Sequence, residues 1–154
     1  MTNAVRATPA VAAALLALAG CGGSAGPAAH GPGERSITVD SGETFSLEVP
    51  ASPALGQNWY LADPRPDSGV VTYRGRREDE DGGDEDLIGS GDGAQFFDFE
   101  AAGTGRTTVK LLFCPYGRCH SAADVSASPV PTATAAPDTS DQEAAYYEYT
   151  ITVR

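Results

Sequence analysis

The sequence predicts an all-β domain built from short strands. Apolar and polar residues alternate with a period of two in short blocks, and turn residues close each block. No stretch of the chain shows a sustained helical period. The chain contains 18 Gly and 11 Pro among 154 residues, a composition typical of short strands joined by long connections.

Seven blocks of alternation predict the strands in order. Residues 37–39 and 45–49 are joined by the turn dipeptide Ser41-Gly42 and predict a hairpin-like pair that ends at Pro50. The other five strands are predicted at residues 59–61, 70–73, 97–99, 109–113 and 147–153. Seven strands of this kind predict an immunoglobulin-like β-sandwich of antiparallel strands. Its core is predicted to centre on Phe45, Leu47, Trp59, Leu61, Phe99, Leu111 and Ile151.

Length and charge exclude several classes of protein. A chain of 154 residues has room for one domain with its own core. With 21 Asp plus Glu against 10 Lys plus Arg, the formal net charge of −11 disfavours a nucleic-acid partner. Three Cys and two His leave little material for a metal cluster or acid–base catalysis, so we expect no cofactor, no metal and no enzymatic activity.

The first residues have the pattern of an export signal. Arg6 precedes an apolar run at residues 11–19, which is too short to span a bilayer. The following tetrad, L-A-G-C at residues 18–21, resembles the lipobox of bacterial lipoproteins, in which the cysteine receives two acyl chains. We therefore expect a signal peptide at 1–20, lipid on Cys21, and a location on the outer face of the cell membrane. The alternative is an ordinary secretory signal with an unmodified Cys21.

The exported chain is predicted to have three parts. Residues 21–35 are rich in Gly, Ala and Pro and suit a flexible tether, and residues 36–154 form the sandwich domain. Two segments interrupt the domain, an acidic loop at 78–86 and a low-complexity insertion at 121–142, and neither can bury enough apolar surface to fold alone. The acidic loop is interpreted as solvated, with Ca²⁺ binding as the alternative.

Cys114 and Cys119 enclose a turn sequence, and in an exported protein whose third cysteine carries lipid they are the natural disulfide pair. The neighbouring His120 raises a zinc alternative, but this cluster offers only three ligands. A hydrolase would need His30 or His120 in a catalytic triad, and no strand–turn–helix element holds a nucleophilic serine.

Three connections carry a further pattern. They read S-P-A-L-G-Q-N-W at residues 52–59, G-S-G-D-G at 89–93 before F-D-F, and C-P-Y at 114–116. The order of strands and loops resembles the chagasin-type inhibitors of papain-like cysteine peptidases, whose loops read N-P-T-T-G-Y-x-W, G-x-G-G before F-x-F, and R-P-W. The resemblance spans residues 36–154. It implies that the three loops lie at one end of a monomeric sandwich and block the active-site cleft of a papain-like cysteine peptidase.

The resemblance assigns the inhibitory contacts to twelve residues. These are Ser52, Pro53, Ala54, Leu55, Gly56 and Gln57 in the first loop, Gly89, Gly91 and Gly93 in the second, and Pro115, Tyr116 and Arg118 in the third.

Several of these positions depart from the family pattern. Ser52 replaces the usual Asn, Ala54 and Leu55 replace the threonines, Gln57 replaces the aromatic residue, and Cys114 replaces the Arg. These departures support an alternative, a cell-surface binding module that keeps the scaffold and has lost inhibition.

Overall fold

The structure, a computed structural model, describes residues 26–79, 93–124, 132–133 and 143–154. Within these residues the chain forms eight strands and one 3₁₀ turn at Pro53–Leu55. The strands are β1 (Ala28–His30), β2 (Ser36–Val39), β3 (Thr44–Ala51), β4 (Asn58–Leu61), β5 (Val71–Asp79), β6 (Gly93–Ala101), β7 (Gly105–Cys114) and β8 (Ala145–Val153). Each of the seven predicted strands overlaps one of β2 to β8.

The strands form two sheets of four strands each. The first sheet has the order β1-β3-β6-β5 and the second has the order β2-β8-β7-β4, which confirms the all-β sandwich. The central pairs are antiparallel, whereas β1 pairs with β3 and β2 pairs with β8 in parallel. Period-two alternation shows which residues face the core, but it is the same for both strand directions, so it did not reveal the parallel pairs.

The predicted hairpin at Ser41-Gly42 is wrong, because β2 and β3 lie in different sheets. The turn carries the chain from one sheet to the other. The N–H of Ser41 donates to the carbonyl of Arg154 beside the second sheet, at 3.0 Å, and the N–H of Gly42 donates to Ala101 of the first sheet, at 2.8 Å. Gly42 has φ +89°, a left-handed conformation that a glycine adopts without a steric cost.

Strand β1 lies inside the segment that the sequence predicts as a flexible tether. Ala28 pairs with Phe45 and His30 with Leu47, and the His30 ring contacts the Phe45 ring edge-on at 6.1 Å. Gly, Ala and Pro residues carry no alternating signal, so nothing in the local sequence predicted this strand. The described end of the segment is therefore part of the sandwich.

All seven predicted core residues are buried, and the most exposed of them, Leu61, has only 6% of its surface accessible. Trp59 is the largest fully buried side chain, and its ring lies 5.0 Å from that of Phe113 and 4.9 Å from that of Tyr147. A second, smaller cluster around Leu112 includes Cys114 and Cys119. The residues that follow β7 thus fold back against the sheet.

The strand directions give the sandwich two distinct ends. The end of β3 pairs with the start of β6 (Ala51 with Gly93), and the start of β4 pairs with the end of β7 (Asn58 with Cys114). We call this end, with residues 52–57 and 115–119, the loop pole. The opposite end, with residues 40–43 and 102–104, is the base. No helix in the described part of the chain has the length and apolar character needed to cross a bilayer.

Replacing Trp59 with Ala is expected to lower the free energy of unfolding by about 3–5 kcal/mol, because it leaves a large cavity between the sheets. Urea unfolding followed by circular dichroism measures the change. The control is Leu55→Ala, which removes an exposed side chain and is expected to change stability by less than about 0.5 kcal/mol. Equal losses in the two variants would contradict the placement of Trp59 in the core.

Candidate functional site

The first loop at the loop pole, residues 52–57, is held by its own backbone. Ser52 accepts hydrogen bonds from the N–H groups of Leu55 (2.9 Å) and Gln57 (3.1 Å), and Pro53 accepts one from Gly56 (2.9 Å). Pro53 restricts φ at the start of the 3₁₀ turn, and Gly56 ends it in the left-handed region at φ +78°. These bonds and restrictions give the loop one defined backbone shape.

The third loop is closed by a disulfide bond. Cys114 and Cys119 are bonded, with Cα atoms 5.8 Å apart, which confirms the predicted pair. The N–H of Arg118 donates to the carbonyl of Pro115 at 3.1 Å, so residues 115–118 form a tight turn. Both central residues of this turn have positive φ, +50° at Tyr116 and +66° at Gly117. Positive φ at both central positions is what a type I′ turn requires, and the disulfide holds the non-glycine residue there.

The two loops touch through a glycine. The N–H of Gly117 donates a 2.8 Å hydrogen bond to the carbonyl of Gly56. A Cβ atom placed on Gly56 would lie 2.9 Å from the Gly117 nitrogen, closer than side-chain carbons normally approach. Gly56 thus provides both the left-handed end of the first turn and the close approach between the two loops.

The second loop lies mostly outside the described residues, among them Gly89, Gly91 and the greater part of the acidic segment. Its two ends are defined. Gly93 is the first residue of β6 and pairs with Ala51, so it belongs to a strand and not to the predicted loop. Asp79, the last residue of β5, pairs with Ala94, which places both ends of this connection at the loop pole.

The acidic segment begins inside β5. The Glu78 carboxylate accepts a hydrogen bond from the Gln95 side-chain amide at 3.0 Å and lies 3.3 Å from the Arg76 guanidinium. Glu78 therefore belongs to a strand and not to the predicted loop, and its side chain stays exposed to solvent as predicted.

Gln95 is a buried polar residue that sequence reasoning missed. Its carbonyl oxygen accepts a 2.8 Å hydrogen bond from the N–H of Trp59, and its amide nitrogen donates to Asn58 (3.2 Å) as well as to Glu78. Because β6 belongs to the first sheet and β4 to the second, Gln95 joins the two sheets beneath the loops. The sequence does carry a signal for the burial of Gln95, because this residue continues the inward alternation of Phe97 and Phe99.

Exposure divides the predicted contact residues of the first and third loops into three groups, one of which, Pro53 and Gly56, is half-buried. Ser52, Gln57 and Pro115 are buried and support the loops from inside. Ala54, Leu55, Tyr116 and Arg118 are exposed. Leu55 is 56% exposed and Tyr116 is 48% exposed, and these are the large hydrophobic side chains that are exposed among the described residues. The exposed contact residues therefore lie at the loop pole and combine apolar side chains with the guanidinium of Arg118.

The described residues give no geometric support to the zinc site, which needs His120, or to the hydrolase, which needs His30 or His120. His30 lies in β1 of the first sheet, 3.1 Å from the Glu34 carboxylate, whereas His120 follows the disulfide loop of the second sheet. The N–H groups of His120 and Ser121 donate to Asp124 at 2.6 Å and 3.0 Å, and the bond from His120 contributes most to lowering the pKa of Asp124. Across the described ranges, no group of three or more His, Cys, Asp or Glu residues is placed to hold a metal ion.

Comparison with known proteins finds one family model and several solved structures that are similar to this chain. The family model described as chagasin family peptidase inhibitor I42 matches residues 38–114, half of the chain. A search of curated protein sequences finds no significant match. Among solved structures, the cysteine protease inhibitor EhICP2 from Entamoeba histolytica is similar, with a TM-score of 0.53 and 10% identity over 82% of this chain and 95% of that one. Amebosin has a TM-score of 0.52 and 14% identity over 83% of this chain and 98% of its own.

Replacing Gly56 with Ala is expected to separate the two loops. The new Cβ would meet the Gly117 backbone, and the left-handed conformation adds a cost of its own. Gly42→Ala is the matched control, because Gly42 also has positive φ (+89°) but open space around its Cβ position. We expect Gly56→Ala to lose about 1–3 kcal/mol more stability than Gly42→Ala in urea unfolding. Equal losses would show that the loops do not depend on this contact.

Reduction of the disulfide is expected to lower the free energy of unfolding by about 2 kcal/mol, the chain-entropy value for so short a loop. Chemical denaturation of the Cys114→Ser/Cys119→Ser double variant, compared with the oxidised protein, measures this loss. Adding dithiothreitol serves as the control, because it should destabilise the parent protein and leave the double variant unchanged. An unchanged parent would contradict a stabilising role for the bond.

Proposed function

The chain belongs to the chagasin family of peptidase inhibitors, and from this we propose that its loop pole enters the active-site cleft of a papain-like cysteine peptidase. The protein performs no reaction of its own in this proposal. The family match includes the whole first loop and ends at Cys114, so the role of the third loop rests on its contact with the first.

One observation carries the proposal. Leu55 and Tyr116, the exposed large hydrophobic side chains of the described residues, lie on the two loops that the Gly56–Gly117 hydrogen bond joins. Contiguous exposed apolar surface commonly marks an interaction site, and these two side chains stand on adjoining loops. Tyrosine is also among the residues that contribute most to binding energy at protein interfaces. We assign Leu55 to the tip that enters the cleft and Tyr116 to its wall.

The proposed inhibition is steric. A papain-like cleft is an extended groove with a cysteine thiolate and a histidine at its floor. A loop that fills the groove excludes both the substrate and the hydrolytic water, provided that it does not offer a peptide bond to the thiolate. The backbone bonds of the first loop and the disulfide of the third hold their shapes before binding, which reduces the entropy lost on association.

Burial separates the departures from the family pattern that can contact a peptidase from those that cannot. Ser52 and Gln57 are buried, and Cys114 forms the disulfide, so none of the three side chains reaches a partner directly. Ala54 and Leu55 are the exposed departures, and they exchange polar side chains for apolar ones at the tip of the first loop. The alternative function, a binding module without inhibitory activity, depends mainly on these two positions.

We also propose that the protein is exported and anchored through lipid on Cys21. The support is the apolar run at residues 11–19 and the tetrad that precedes and includes this cysteine. Two acyl chains give stable attachment to a bilayer, whereas a single chain binds only marginally. An oxidising extracytoplasmic location also fits the Cys114–Cys119 disulfide.

Titration of papain with residues 21–154 carrying Cys21→Ser is expected to show reversible, active-site-competitive inhibition. Leu55→Asp and Tyr116→Ala should each weaken inhibition by at least about 30-fold, since truncating an interface hot spot costs about 2 kcal/mol or more. Arg106→Ala, an exposed change at the base end of β7, is the control and should inhibit like the parent. If no enzyme in a panel of papain-like peptidases is inhibited, the binding-module alternative is favoured.

A further inference from the structure

We propose that the anchored protein cannot turn its loop pole toward the membrane that holds it, and that its partner is a peptidase reached from the opposite side. This inference rests on the proposed inhibitory function and on the proposed lipid anchor. It adds the direction in which the binding surface points.

The first step is the direction of β1. It pairs in parallel with β3, and Ala28 lies opposite Phe45, near the start of that strand. Since β3 runs from the base to the loop pole, the chain enters the sandwich at the base. Gly26 and Pro27 lie there as well, because they line a groove together with Gly42 and Glu43 of the base turn.

Arg154, the last residue of the sequence, lies at the same end. The N–H of Arg154 donates to Val39 at 3.1 Å, and its carbonyl accepts from Ser41 at 3.0 Å. Both described ends of the chain are therefore at the base, and the loop pole carries the exposed Leu55 and Tyr116.

The orientation follows from two lengths, the distance from the base to the loop pole and the reach of the chain from Cys21 to Gly26. Strand β3 has 8 residues and so separates the base from the loop pole by about 26 Å. The chain from Cys21 to Gly26 spans at most about 18 Å even when fully extended. If the loop pole faced the bilayer, Gly26 would stand farther from the surface than the chain from Cys21 can reach. The pairing of β1 thus shortens the predicted tether enough to forbid the inverted orientation.

The negative net charge of the chain also disfavours contact between the domain and the membrane. Removal of residues 1–20 takes away Arg6 and no acid, which leaves 9 Lys plus Arg against 21 Asp plus Glu. An anionic lipid surface repels a chain with this excess of negative charge, so the domain is not drawn down onto its side. We infer that the domain stands on its base with the loops farthest from the lipid.

Energy transfer tests the orientation. The lipidated protein is placed in vesicles of phosphatidylethanolamine and phosphatidylglycerol that contain a headgroup-labelled acceptor lipid. A donor dye is attached through Thr104→Cys at the base or through Ala54→Cys at the loop pole, both exposed positions. Transfer is expected to be clearly stronger from position 104. Equal transfer, or stronger transfer from position 54, overturns the proposal.

A lengthened tether is the matched control. Inserting 20 Gly and Ser residues between positions 25 and 26 leaves the domain unchanged and extends the reach well beyond 26 Å, so the difference between the two dye positions should shrink. A difference that persists unchanged would show that tether length does not set the orientation, which contradicts the argument.

Inhibition of soluble papain separates this proposal from those on which it rests. Vesicle-bound protein is expected to inhibit within about twofold of the same protein in detergent. Inhibition in detergent that is lost on vesicles overturns the orientation alone. Absence of inhibition in both, with the expected energy transfer, rejects the inhibitory function and leaves the orientation standing. A chain recovered without lipid on Cys21 rejects the anchor and the orientation together.

Discussion

The hydrogen bonds of Trp59 connect the two sheets directly beneath the loop pole. Its ring packs against Phe113 and Tyr147 of the second sheet, to which Trp59 itself belongs. Its polar groups bond to the first sheet: the indole N–H to Pro50 (2.8 Å), the backbone N–H to Gln95 (2.8 Å), and the carbonyl to Arg76 (3.0 Å). Because buried polar groups need partners, these bonds hold three strands of one sheet against the other. The first and third loops therefore extend from one rigid part of the sandwich.

The loops add two constraints to those in this part of the sandwich. One is covalent, the bond between Cys114 and Cys119, and the other is the close contact of Gly56 with Gly117. The first loop lies between β3 and β4, which belong to different sheets, and the third follows β7. A binding surface formed from both is stiff only if the sheets do not slide. Rigidity of the core and readiness for binding thus have the same physical origin.

The molecule has a clear division between its two ends. The base contains both described ends of the chain, and the loop pole presents Leu55 and Tyr116. In the proposed arrangement, attachment at the base leaves the loop pole free for a partner. The three-residue strand β1 is important here, because its pairing with β3 decides where the N-terminal part of the chain enters the domain.

The sequence by itself determined the sandwich, the composition of its core, the disulfide pair and the positions of the first and third loops along the chain. Each of these depends on local features, namely alternation along a strand, turn residues, or two cysteines close in sequence. Only the tertiary structure decided that β2 and β3 pair in different sheets, that β1 exists, and that Gln95 bonds across the sandwich. It also decided that Ser52 and Gln57 point inward while Leu55 points outward. These outcomes depend on which distant backbone groups meet, and no pattern within a single strand specifies its partner.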